Sequence, residues 1–237
     1  MLQNSSKKIL VSLTTWKTDW REIIKDLTKF EVTEIGFFPT WIPKAERRLI
    51  YEELKKSTVK SIPLVHMRTD MDRAEYDFLA EEYGAKVFNV HDMPEFLEFI
   101  KKNPDVASTI YVENGYTLEP LFFDILKLCG GLCIDLAHFE DFGTRQNIEG
   151  YNDLKAILRQ KKIGMTHIGA IFEEPYWNDD DPPKLTHESH TMQSLSDLDY
   201  LKDHIELFAE YNAIELTNSI EEQLKVKEYI ETNILGK

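Results

Sequence analysis

The residues best placed to do chemistry are carboxylates and histidines that close short apolar runs. In GLCIDLAHFED (Gly131–Asp141) the run Leu132–Ile134 delivers Asp135 and, three residues on, His138. A strand buried on both faces keeps a carboxylate only when something compensates its charge, because an isolated buried charge is costly. A divalent cation would do so. The same ending recurs: His66 after IPLV, His91 after VFNV, Glu113 in TIYVEN, His167 in MTHIGAI and Glu215 in AIELT. A later segment adds HESH, with His187, Glu188 and His190. Of the seven histidines, only His204 falls in a predicted helix. Carboxylate and imidazole donors together suit Mn²⁺, Zn²⁺, Fe²⁺ or Co²⁺.

These residues need elements to carry them to one place. Strands are predicted at Ile9–Leu13, Glu34–Phe38, Ile62–Met67, Lys86–Asp92, Thr109–Asn114, Leu132–Ile134, Met165–Ile171 and Ala213–Thr217. Between them run helical patterns. Trp20, Ile23, Ile24 and Leu27 share one helix face, Pro43 opens a helix over KAERRLIYEELKK, and Ser219 with Glu222 forms a capping box. Strands that are apolar runs, each followed by a helix, build a parallel sheet covered by helices. Eight such units over 237 residues predict an α/β fold, a (β/α)₈ TIM barrel in a single domain, residues 1–237. A doubly wound open sheet is the competitor, but VSLTTWK replaces the Gly-rich phosphate turn that it needs after its first strand. Residues 172–193 read as a long loop after the seventh strand, of a length that suits a lid.

Composition narrows the partners. Lys and Arg number 28 against 42 Asp and Glu, a formal charge of −14. Glu173, Glu174 and Asp179–Asp181 would add negative charge to the rim. Nucleic-acid binding is therefore disfavoured though not excluded, and a small-molecule substrate is expected. The acidic run before Pro182 also reads simply as a solvated turn. Cys129 and Cys133 read as small buried hydrophobes. Few cysteines and no apolar stretch of about 20 residues point to a cytoplasmic protein that does not enter a membrane. Oligomeric state, a homo-oligomer included, is left open.

The strand-end pattern resembles that of the xylose isomerase-like TIM-barrel superfamily, which includes sugar isomerases, epimerases and the endonuclease IV group. The resemblance implies a divalent metal (Mn²⁺, Zn²⁺ or Co²⁺) held by Glu113, Asp135, His167 and Glu215. In one branch it implies isomerisation or epimerisation of a small sugar or sugar phosphate through an enediolate. Glu113 and Glu215 would act as base and acid, and His138 and Glu119 would contact substrate. Trp16, Phe38 and Trp41 can wall the sugar carbons or pack the barrel rim, and Arg68 can bind a phosphate or pair with Asp70. The Arg that epimerases place after the seventh-strand His is missing from IGAIFEEPYW, leaving Lys184 or Arg145 as substitutes. In the other branch, endonuclease IV-like phosphodiester hydrolysis, His66, His91, His138, Glu188 and His190 would be additional zinc ligands. ENGYT departs from that group's ENTAG-type turn. The acidic rim places the small-molecule isomerase first. A barrel that binds metal or a partner without catalysis is the third reading.

Overall fold

The computed structural model describes residues 7–179 and 182–236; Asp180 and Asp181 of the acidic run lie outside the described residues. Strands β1 (Lys8–Leu10), β2 (Ser12–Thr14), β3 (Glu34–Phe38), β4 (Ser61–His66), β5 (Val87–Val90), β6 (Ile110–Glu113), β7 (Gly131–Asp135), β8 (Ile163–Ile168) and β11 (Tyr211–Ile214) form one sheet. Every neighbouring pair in it is parallel. β1 pairs with β11 and β2 with β3, and only Val11 separates the two halves. The first predicted strand is thus one bent segment on which the sheet nearly closes into a barrel.

The bend is held from outside. Ser12 N–H donates to Gln223 Oε1 at 2.7 Å, and Gln223 Nε2 donates to the carbonyls of Leu216 and Asn218. Gln223 is fully buried on α8 (Ile220–Tyr229), whose start carries the expected Ser219–Glu222 capping box. One side chain therefore satisfies the Ser12 N–H at the break and two carbonyls of the segment after β11.

The helical layer comprises α1 (Trp20–Lys29), α2 (Lys44–Leu54), α3 (Arg73–Glu82), α4 (Pro94–Lys102), α5 (Pro120–Leu126), the single turn α6 (Leu136–His138), α7 (Gly150–Ile157) and α8. A large apolar cluster fills the space between this layer and the sheet. A second cluster is the barrel's interior plug: Leu10, Phe38, Leu64, Val87, Tyr111, Cys133, Met165 and Ala213. Each strand position supplies one of these residues. Gly164 makes room for the largest of them, since a Cβ there would lie 2.0 Å from the Tyr111 ring.

Successive strand residues point to opposite faces, so the residue two places beyond each plug residue also points inward, nearer the C-terminal mouth. Counting on from Leu64, Val87, Tyr111, Cys133, Met165 and Ala213 gives His66, Asn89, Glu113, Asp135, His167 and Glu215. The period of a β-strand, repeated around the barrel, thus gathers donors from six segments into one layer.

Residues 172–193 are not the expected structureless loop. β9 (Ala170–Trp177) and β10 (Leu185–Ser189) pair as an antiparallel hairpin. Pro175 and consecutive acids hid β9, because Pro in an apparent strand argues against one except at an edge. A 3₁₀ segment, Leu195–Leu207, broken at His204, replaces the helix predicted around that histidine. No helix among the described residues is long and apolar enough to cross a membrane.

Candidate metal centre

The layer above the plug holds two sets of ligand atoms. Glu113, Asp135, His167 and Glu215 are all buried, and one donor atom of each lies within 4.8 Å of the others. His66, His91 and Glu113 form a second set on the same criterion. Glu113 belongs to both, and with Cys133 and His167 it forms a third that reaches down into the plug. His66 Nε2 is 3.0 Å from His91 Nε2 and 3.8 Å from Glu113 Oε2, while His167 Nδ1 is 3.4 Å from that same oxygen. The predicted quartet converges, and the predicted pair His66 and His91 joins it.

Polar atoms left without partners test whether a cation fits. His167 Nδ1 and Glu215 Oε2 lie 2.9 Å apart, yet neither makes a well-directed hydrogen bond. Native structures rarely leave such atoms unsatisfied, and a shared ion would satisfy both. The donor set, hard carboxylates with imidazoles, suits a first-row divalent cation or zinc. The residues fit the group.

Asparagines not identified from the sequence hold one carboxylate directly and the backbone of another. Asn89 Nδ2 donates to Glu113 Oε2. Asn114 Oδ1 accepts from the Asp135 N–H at 2.9 Å, and its Nδ2 donates to the Asp135 carbonyl. Both are fully buried, and Asn89 stands in an otherwise apolar run, the same signal that Asp135 gives.

The remaining predicted residues divide. His138 Nδ1 donates to the Asn114 carbonyl at 2.9 Å, which turns Nε2 toward Glu188, 3.9 Å away. Glu188 Oε1 is also 3.2 Å from His190 Nδ1. These three line the cavity but belong to neither set of clustered donors. Trp16 and Trp41 line it too, Trp16 edge-on to His190. Phe38 lies beneath, against His66 and His167, as part of the plug rather than the wall. Glu119 is exposed at the start of α5 and Arg68 lies away from the cavity, so the structure does not bring these two to the site. Arg145 pairs with Glu140, and Lys184 sits over the Tyr116 ring.

The cavity has a volume of about 720 Å³ and opens between the strand ends and the hairpin, with Tyr176, Asn178 and Asp179 on its lining. Its acids and bases are strongly perturbed. Burial, with His91 beside it, pushes His66 down to about 4. Burial also opposes charge on His138, but Asp135, Glu188 and Glu113 outweigh it and lift His138 to about 9. His167 and His190 move upward for the same reason.

The direction of these shifts fixes a pH dependence. A His138 whose pKa is raised from 6.5 to about 9 stabilises the metal-free fold below pH 6.5, and that contribution disappears as pH rises through 9. The lowered His66 acts in the opposite sense, but only between about 4 and 6.5. In EDTA, the melting temperature is therefore expected to fall from pH 6.5 to 9. With Zn²⁺ or Mn²⁺ present it should rise over the same interval, because ligation requires deprotonated imidazoles. A metal-free melting temperature that climbs across this window would contradict the assignment.

No family model matches the chain, and no curated protein matches it. Among solved structures, the chain is similar to phospho-2-dehydro-3-deoxyheptonate aldolase (DAHP synthase) from Thermotoga maritima. Identity is 11% and the TM-score 0.48, over 97% of this chain and 70% of that one. It is also similar to a truncated 3-deoxy-D-arabino-heptulosonate 7-phosphate synthase from Thermotoga maritima. There identity is 10% and the TM-score 0.49, over 96% and 87% of the two chains. These structures belong to a different (β/α)₈ barrel family, and nothing in the comparisons connects this chain with the xylose isomerase-like superfamily. That resemblance is corrected. Isomerisation or epimerisation through an enediolate and endonuclease IV-like hydrolysis are set aside with it. The reason is physical: barrels of this architecture place their chemistry at the strand ends, so donors there do not single out one superfamily. A likeness this weak transfers no activity from the synthases either.

Proposed function

We propose that this protein is a divalent-metal-dependent hydrolase of an ester or amide bond in a small molecule. The observation that carries the reading is the place of Glu113 in two donor sets, the arrangement of a carboxylate bridging two cations. His66 and His91 would hold one ion with Glu113, and Asp135, His167 and Glu215 the other. Bound there, the ions supply Lewis acidity for a carbonyl oxygen and make water acidic enough to act as a nucleophile near neutral pH.

The chain's own residues do the rest. Asn89 and Asn114 hold Glu113 and Asp135 in place. His138, anchored through Nδ1 to the Asn114 carbonyl, faces the cavity, and Glu188 beside it favours its protonated form. It is placed to protonate a departing oxygen or nitrogen. Trp16 and Trp41 offer apolar surface to the substrate's carbon skeleton. Glu188 on the lining opposes polyanions, which favours an uncharged ester or amide.

Protein stripped with EDTA and reloaded with Zn²⁺ or Mn²⁺ is expected to cleave members of a panel of chromogenic esters and anilides. Activity should vanish on stripping and return on reloading. Cleavage that survives complete removal of metal, or loaded protein inert toward the whole panel, would overturn the reading.

A further inference from the structure

His167 is fully buried, and its two ring nitrogens face different neighbours. Nδ1 looks up toward Glu215 and Glu113. Nε2 looks down at Cys133, whose Sγ is 3.5 Å away. The Phe38 ring meets the imidazole nearly at right angles, 72°, with centroids 4.9 Å apart. Cys133 belongs to the interior plug and is itself fully buried.

An imidazole that ligates through Nδ1 presents that nitrogen without hydrogen, so its proton sits on Nε2 and needs an acceptor. Ligating histidines usually donate that proton to a carboxylate, a carbonyl or water, and losing such a partner typically costs about 10- to 100-fold in metal affinity. Here the atom in reach of Nε2 is sulfur. We infer that Cys133 is a positioning residue, accepting the Nε2–H of His167 and so fixing the tautomer and ring orientation that offer Nδ1 to the metal. This rests on the reading of the upper layer as a metal centre.

The strand register explains why no other residue does this. Cys133 and Met165 are partners across β7 and β8, and Asp135 and His167 are partners one inward step higher. The residue directly below the Asp135–His167 level on the neighbouring strand is therefore Cys133. Its Sγ reaches the lower edge of the imidazole at 3.5 Å and lies within 4.8 Å of a Glu113 carboxylate oxygen. A purely apolar plug residue of similar volume, such as valine, would fill the same space and leave the Nε2–H without an acceptor.

Cobalt(II) provides the test, through chelator competition and the visible absorption spectrum of full-length wild type, C133V, C133A and C133S. Melting temperatures of the metal-free proteins report any packing defect separately. C133V and C133A are expected to bind cobalt about 10- to 100-fold more weakly, with altered spectra. C133S, whose hydroxyl still accepts, should recover most of the loss. Wild-type affinity and spectrum in C133V would overturn the positioning role while leaving the metal centre standing. So would a sulfur-to-cobalt charge-transfer band in wild type that is lost in C133S, because Cys133 would then be a ligand. Wild-type protein that takes up no cobalt would remove the metal centre and this inference together.

Discussion

Glu113→Gln is expected to leave the protein folded but unable to retain two metal ions per chain. Its carboxylate is the one donor common to both sets, so its neutralisation weakens each position at once. The amide keeps the volume and still accepts from Asn89, which limits collateral damage. Metal affinity should fall by more than the roughly 100-fold upper figure for losing an outer partner, and hydrolytic activity should fall at least in proportion. Elemental analysis after gel filtration in metal-free buffer checks the first expectation. Two ions retained in E113Q would show that the shared carboxylate does not bridge.

The second large effect concerns stability, at residues that do not line the cavity. Arg47, on α2, is fully buried. Its Nε and an Nη bind the two oxygens of Glu75 at 2.7 and 2.9 Å, and its other Nη reaches Asp70 at 2.8 Å. Tyr51 donates to Glu75 at 2.8 Å, completing a network that pins α2 to α3. Arg47→Ala strands the Glu75 carboxylate with a phenol as its remaining side-chain partner. Breaking a buried pair in this way costs about 3–5 kcal/mol. For a chain of this length that lowers the melting temperature by roughly 6–20 °C. The double variant R47M/E75L should regain most of the loss, since apolar residues can replace both charges together. A scan of the three proteins distinguishes these outcomes, and an R47A protein as stable as wild type would refute the account.

Which parts of this molecule could be read from the chain follows from which signals are local. Strand Glu34–Phe38 forms over its predicted span, and the others differ by a few residues at their ends, because short apolar runs set between helical patterns suit strands covered on both sides. The donors were legible for the same reason: a charged residue closing such a run stands out. Asn89 and Asn114 gave a fainter form of that signal. The buried Arg47 gave none, since an arginine in a helix with the pattern KAERRLIYEEL reads as solvated. Cys133 was read correctly as buried, but its relation to His167 depends on cross-strand register, which local pattern does not supply. The hairpin was missed because its pairing partners are separated by the stretch from Trp177 to Leu185 and its strands lack alternation. Superfamily was the most ambitious reading, and it failed because strand-end donors are common property of the architecture.

Asp141 anchors one strand of the hairpin. This fully buried carboxylate accepts, on one oxygen, from Thr186 Oγ1, His187 N–H and Glu188 N–H at 2.6, 2.6 and 3.0 Å. β10 is thereby bolted along Thr186–Glu188 to the segment following β7, just before His190. Across the mouth, Asp179 at the hairpin's far end pairs with the exposed Lys17, a contact that salt screens. A guest would meet unequal compliance: the inner half of the chamber keeps its dimensions, while the entrance can spread. Selectivity should accordingly be strict for the part of a molecule that reaches the floor and lax for whatever trails outward.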